Sequence, residues 1–393
     1  MTCVNRVMKT LEDIALLEHF SELEDLRTDQ GKRHNLQVII IMAICGILCN
    51  ANSFEAIAGF AKAKLEWFEK FFDLPHGAPS SDTFIRVFAL IKPEEFEKCF
   101  LSWIQVIKQD WTGETIAIDG KTLRGSRDTK NNLGPLHLVQ AYAVKNGLVL
   151  MQKNVDKKTN EITAIPELLR TLVLKGTVVT IDAMGCQKKI AQGIIAAEAD
   201  YVLALKGNQG DFHRDVEQYL DKLINGKVQR DFDYHETIDL NNHGREEIRK
   251  CYSIALDKED VKEKLFANIM DWEKLKTVAA IESIRINKTT GETSLERKFY
   301  ISSLESNAME ILSRARDHWG IENSLHYVLD VTFREDASRV RKNSATQNFA
   351  LARKITLNLI KLNPRKGSTY NIIGKRQMAG WNNDFLEELL FTN

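Results

Sequence analysis

The chain has 393 residues, of which 44% are hydrophobic and 27% charged, the composition of a globular protein with room for one large core or two to three domains. Its 54 Lys and Arg balance 54 Asp and Glu, so net charge gives no sign of a polyanionic partner, and any such partner must be met by charge gathered locally. Six scattered cysteines (Cys3, Cys45, Cys49, Cys99, Cys186 and Cys251) show no zinc-finger or zinc-ribbon spacing and read as buried free thiols of a reducing compartment.

The opening stretch, MTCVNRVMKTLEDIALLEHF, is interrupted by charges and does not read as a secretory leader, so a cytoplasmic protein is expected. The most apolar run, LQVIIIMAICGILCNA (36–51), is shorter than the ~20 residues a membrane span requires and contains Gln37 and Asn50; it reads as a buried helix. Apolar residues recur at helical spacing through the first part of the chain, Ser81 or Asp82 offers an N-cap, and Pro93 stands where a helix begins. Residues 1–108 are therefore expected to form a helical N-terminal domain, a candidate DNA-binding module.

From Glu114 the pattern changes to strands. ETIAIDGKTLR is one; LHLVQAYAVKNGLVLMQKNV reads as two more, joined at Asn146-Gly147, a strong hairpin signal. Helix, strand (TVVTIDA), helix and strand (YVLALKGNQ) follow. A three-stranded meander followed by that alternation is the order of a ribonuclease-H-like α/β domain. Residues 211–306 break the alternation with short polar strands and read as a β-rich insertion. A long helix from about 308 and another over 344–362 close the core, giving a catalytic unit of 112–210 plus 307–362 and a C-terminal tail, 363–393.

Asp119 ends the apolar run TIAID and Asp182 ends VVTID, so two buried strands each deliver a carboxylate to a C-terminal sheet edge, where ligands of open α/β sheets bind. Paired buried carboxylates repel unless a cation lies between them, and hard oxygen ligands suit Mg²⁺ beside phosphate. Either aspartate read alone is equally a turn or helix cap. The third acid comes from HWGIENSLHYVLDVTFREDASR (318–339). His318, Glu322 and His326 share one helical face, flanked by Trp319 and Leu325, which places Glu322 half-buried over the strand edges. Asp330, Glu335 and Asp336 are rivals that salt bridges with Arg334 and Arg339 would explain. A His–Glu–His zinc site is the other metal reading, without the H-E-x-x-H spacing of metalloproteases.

Taken in order, AIDGKTLRGS, TIDAMGCQ, YVLALKGNQ and HWGIENSLHYVLDVTFREDASRVRKNSATQNFALARK resemble the DDE transposases of bacterial insertion sequences, specifically the branch containing the H-repeat-associated proteins. The resemblance implies Asp119, Asp182 and Glu322 as the catalytic acids, holding two Mg²⁺ (or Mn²⁺) ions. It implies double-stranded DNA as partner, both element terminal repeats and target, and a homodimer to pair two ends. Related cut-and-paste enzymes carry Tyr, Arg, Glu and Lys around the helix acid, where this chain has Ala315, His318, Glu322 and Leu329; the basic roles then shift to Arg316, His318 or Arg339. Further candidate DNA contacts are Lys121 and Arg124 after the first aspartate, Lys206, Asn208 and Gln209 after the third core strand, His326, and a basic stretch from Arg334 to Lys366 that includes Arg341 and Lys342. Two other readings are a transposase-derived DNA-binding protein without activity and a ribonuclease-H-like nuclease or resolvase.

Overall fold

The computed structural model describes residues 15–391 except 130, 132–133, 156–160, 243, 258, 261–264 and 364–369. Six helices come first: α1 (Ala15–Phe20), α2 (Leu36–Leu48), α3 (Phe54–Ala63), α4 (Leu65–Phe68), α5 (Ser81–Leu90) and α6 (Pro93–Ile107). The Asn35 side chain caps α2 by accepting from Gln37 N–H at 2.8 Å and Val38 N–H at 3.3 Å. Ser80, one residue before the expected pair, caps α5 through Thr83 N–H at 3.3 Å.

One nine-stranded sheet follows, in the order β3-β2-β1-β4-β5-β9-β8-β7-β6. Its first half comprises β1 (Thr115–Leu123), β2 (Leu136–Ala143), β3 (Leu148–Asn154), β4 (Val178–Ile181) and β5 (Asp200–Leu205). β1 to β3 run antiparallel, while β4 and β5 lie parallel to β1, the ribonuclease-H-like arrangement expected from the element order. The β2–β3 turn is held by buried Glu114, whose Oε1 accepts Lys145 N–H at 2.9 Å, and by Gly147 at φ +72°. Between the strands lie α7 (Glu161–Thr171) and α8 (Lys188–Ala196).

After α9 (Asp211–Ile224), strands β6 (Asp233–Asn242), β7 (Arg245–Ala255), β8 (Thr277–Asn287) and β9 (Thr293–Ser302) form an antiparallel set. β9 pairs with β5, so these polar strands extend the core sheet. α10 (Ala308–Ile321) passes into a π-helical turn (Glu322–His326) and then α11 (Tyr327–Val331). On β4, Val178 packs with Ile311, Leu312 and Ala315 of α10, whereas Val179 and Ile181 join the main core with α7 and α8. Burial on both faces explains why the β4 sequence is continuously apolar.

The last helices are α12 (Ala345–Leu362), α13 (Ile372–Trp381) and α14 (Asn383–Leu390), so much of the expected C-terminal tail is folded. One apolar cluster runs from Leu16 to Leu390. Phe349 of α12 stacks on Phe54 of α3 at 4.6 Å, and the Asn348 side chain donates to the Phe88 and Ile91 carbonyls at 2.8 Å each. Arg376 donates to Ile47 O at 2.8 Å. Helices at the two ends of the chain thus share a core, and α2 is buried on every side because the C-terminal helices cover it. Cys45, Cys49, Cys99, Cys186 and Cys251 are free thiols; Cys3 lies outside the described residues. Among the described residues no helix is long and apolar enough to cross a membrane.

Candidate active site

Asp119 sits within β1 where its pairing with β4 stops. Ile118 faces Ile181 across the parallel ladder, and β1 then continues to Leu123 against β2 alone. Asp182 follows Ile181 directly, so the two carboxylates leave neighbouring strands at one level of the sheet. Asp119 Oδ1 accepts the Gly120 N–H at 2.8 Å. Asp182 Oδ1 accepts the Met184 and Gly185 N–H at 3.0 and 3.2 Å, so Asp182 does cap the turn that follows it. In both residues the second oxygen receives no hydrogen bond from the described residues.

Glu322 opens the π-helical turn, an irregularity that recurs at functional sites. α10 is fixed beneath it: Arg314 donates to Thr115 Oγ1 at 2.8 Å, and Thr115 donates to Asp317 Oδ2 at 2.6 Å. Glu322 and Asp182 line one cavity of about 250 Å³ with Lys206, Lys298, His318 and Trp319. Glu322 is exposed, not half-buried, and Trp319 is 43% exposed; only Leu325 packs inward as expected. Asn323 and Ser324, which follow Glu322 in the wide turn, are exposed as well.

Burial pushes the Asp119 carboxyl up to about 7; the Gly120 N–H opposes this, and the charges of Asp182, Glu161 and Glu322 add to it. Glu161, the first residue of α7, escaped the sequence reading. It meets His137 Nε2 at 2.6 Å, and a Cβ on Gly120 would lie 1.9 Å from its Oε1, so only glycine admits this pair beside β1. No local motif marks Glu161; the sheet brings it to Asp119. Hard carboxylate oxygens, two of them without donors and mutually repelling, suit a divalent cation. As placed, however, no group of three or more His, Cys, Asp or Glu among the described residues is close enough to hold a metal ion.

The histidines part company. His318 Nδ1 lies 3.2 Å from Thr180 Oγ1, beside β4. His326 Nδ1 lies 3.6 Å from Asp119 Oδ2, and burial, followed by the Lys121 charge, pushes this imidazole down to about 3. A neutral ring at that distance makes no ion pair near pH 7. His318 and His326 thus engage different strands, β4 and β1, and do not meet in a joint His–Glu–His group among the described residues.

Several expected DNA contacts are placed elsewhere. Lys121 is 6% exposed; it pairs with Asp330, lies 3.5 Å from Glu335 Oε2 and donates to the His326 carbonyl at 3.1 Å. Asp330 and Glu335 are thereby accounted for as structural partners, and Asp336 accepts from the Arg124 backbone N–H at 3.2 Å. The Asn208 and Gln209 amides donate to Ala183 O and Cys186 O, both at 2.7 Å, and so brace the turn after Asp182. In the basic stretch, Arg353 and Lys354 are buried, and Lys361 donates to Tyr142 Oη at 2.8 Å; residues 365 and 366 lie outside the described residues. Arg124, Lys206, Arg316, Arg339, Arg341 and Lys342 are exposed. The last three line a groove of about 690 Å³ with Arg334 and the start of α3.

Residues 17–104 match the family described as "DDE_Tnp_1-associated", and residues 110–359 match "Transposase DDE domain". The "Putative transposase YncI" of Escherichia coli O157:H7 is 37% identical over 96% of this chain and 94% of its own length. The "H repeat-associated putative transposase YhhI" of Escherichia coli (strain K12) is 35% identical over 88% of this chain and 90% of its own. A piggyBac transposase in a synaptic complex with hairpin DNA, solved by cryo-EM, aligns with a TM-score of 0.42 at 12% identity, covering 96% of this chain and 78% of that one. With a DDE domain matched across most of its length and near-full-length relatives in the H-repeat-associated branch, the chain belongs to the DDE transposase family.

Proposed function

We propose that this protein cuts and joins DNA strands at the ends of an insertion sequence, with Asp119, Asp182 and Glu322 as the catalytic acids. The observation that carries this reading is geometric: Asp119 and Asp182 leave neighbouring parallel strands at one level of the sheet, each with one oxygen that accepts no hydrogen bond from the described residues. Asp119 is held up to about 7 by burial and then by its neighbours, Asp182 and Glu322 among them, so the cluster gains most from a cation. Two Mg²⁺ or Mn²⁺ ions would supply activation of a water or 3′-hydroxyl nucleophile and stabilisation of the leaving 3′-oxygen.

The rest falls to this chain's own side chains. Asp119 and Asp182 each turn a free oxygen to the site while a backbone N–H pins the other. Glu322, exposed at the rim, turns inward to complete the set. Neutral His326 lies 3.6 Å from the free Asp119 Oδ2 and flanks that carboxylate without cancelling its charge. Arg124, Lys206, Arg316, Arg339, Arg341 and Lys342 hold phosphates of the terminal repeat or target duplex. Residues 1–108 serve as the DNA-recognition part, 211–306 as an insertion in the core, and two copies pair two element ends.

The test is incubation of the full chain with Mg²⁺ and a duplex carrying the repeat that flanks the gene. Wild type is expected to nick at the repeat end. Asp119→Asn is expected to reduce nicking by about a thousandfold or more, with DNA affinity changed by no more than a few fold. Undiminished nicking by Asp119→Asn would refute the assignment, and cleavage of a four-way junction alone would make the protein a resolvase.

A further inference from the structure

The two edges of the nine-stranded sheet are finished differently. β3 is covered: Asn358 of α12 accepts the Val149 N–H at 2.9 Å and donates to the Val149 carbonyl at 2.8 Å, so a side chain takes the place of a further strand. β6 ends the other side and pairs with β7 alone among the described residues. Its ten residues, DYHETIDLNN, include no lysine or proline, the residues that ordinarily blunt an edge. Every second residue of an edge strand turns its N–H and C=O outward. At the far end the Lys288 ammonium donates to the Leu240 carbonyl, so pairing of the backbone falls on the run before it.

The side chains add apolar surface at the same edge. Tyr234, Ile238 and Leu240 are 44%, 57% and 54% exposed. Ile238 faces Ile248 on β7, Ile248 faces Ile284 on β8, and Ile284 faces Leu295 on β9, itself 61% exposed. A row of aliphatic side chains thus crosses all four strands of the insertion and stops at β6. It lies on the sheet face away from α10, because Cys251, Ala279 and Ile281, at the alternate positions, pack with that helix.

We propose that β6 pairs with β6 of a second copy of this chain, antiparallel about a two-fold axis at Thr237, joining two sheets into one. In this register the strand is complementary to itself. Tyr234 opposes the partner's Leu240, His235 the partner's Asp239, Glu236 the partner's Ile238, and Thr237 its own counterpart. No pair sets like charges against each other, the imidazole stands opposite a carboxylate, and the two aliphatic rows meet diagonally at Ile238. An identical copy supplies every one of these matches, which selects it over a foreign strand. The pairing gives a surface to the two-copy part of the transposase reading and rests on that reading for its purpose; self-association itself is tested without DNA.

The experiment is sedimentation velocity of the full chain, without DNA or metal, at rising concentration. Wild type is expected to form a dimer that dissociates on dilution. Ile238→Asp sets an acid against the partner's Glu236, twice by symmetry, and should raise the dimer dissociation constant roughly tenfold or more. Ile238→Lys removes the same apolar side chain but sets a cation against that glutamate, so its constant should stay within about threefold of wild type. Ile238 is exposed in the single chain, so both variants should fold, with unchanged far-UV circular dichroism. A monomeric wild type, a dimer that Ile238→Asp leaves intact, or equal loss from the two substitutions overturns the pairing. Nicking in Mg²⁺ is scored separately: a dimer that never nicks refutes the transposase reading alone, and a chain that nicks but stays monomeric without DNA refutes the β6 pairing alone.

Discussion

Two neighbouring basic stretches, alike in sequence, have opposite fates. Between Arg334 and Lys342 four cations are exposed around a groove that reaches α3. A few residues later Arg353 and Lys354 are sealed inside α12. There Lys354 Nζ lies 3.7 Å from Glu335 Oε1, with both side chains at 0% exposure, and the Arg353 guanidinium covers the Phe349 ring at 3.9 Å. Burial opposes ionisation of Glu335, yet the Lys354, Lys121 and Arg353 charges hold its pKa below the ordinary value. The lesson is that a count of positive residues describes a surface only after the helix carrying them is known to be outside. α12 is inside because α2, α5 and β3 surround it.

The largest expected effect tests the buried side of this contrast. Lys354→Met leaves buried Glu335 with one of its two lysine partners, Lys121, and should lower stability by about 3–5 kcal/mol, read as a fall in urea midpoint. Adding Glu335→Leu should recover a substantial part of that loss. A small effect of the single change would mean that Lys354 is not enclosed as described.

A second buried charge tests the same idea through pH. Burial raises the Glu97 carboxyl to about 7, with Gln347 Nε2 donating to it at 2.9 Å. The folded chain therefore keeps this proton while the unfolded chain releases it near 4.5. Stability should fall as pH rises from about 4.5 to about 7 and then level off. Glu97→Gln removes the titration and should flatten that part of the curve, stabilising the protein at pH 8 by at most about 3 kcal/mol. An unchanged pH profile would contradict the burial.

The exposed side should respond in the opposite manner. Arg339, Arg341 and Lys342 changed together to Ala should leave stability within about 0.5 kcal/mol per site. The same triple change should lower the salt slope of duplex binding by about 2.7, at roughly 0.9 per phosphate contact. A stability loss comparable with that of Lys354→Met would erase the distinction.

Much of the secondary structure was legible because it is written locally. Asn146-Gly147 announces a hairpin whose Gly147 occupies positive φ, Pro93 opens α6, and the apolar runs before Asp119 and Asp182 are paired parallel strands. Lys121, expected among the DNA contacts, is buried beside Asp330 and Glu335, and nothing next to it in sequence reveals those partners, which arrive more than 200 residues later. Asn208 and Gln209 look like free loop amides until the turn at 183–186 is brought against them. The exposure of Glu322 follows from a π-helical turn that no spacing rule marks.

The order of strands and helices, the apolar stripes and the two aspartates following apolar runs were determined by the sequence itself, since propensity and periodicity act over a few residues. Tertiary structure alone decided which charges meet water, which pair in the dark beneath β1, and that Glu161 stands beside Asp119. Those outcomes depend on desolvation and Coulomb energy between side chains distant in the chain, and such energies have no value until the fold sets the distances.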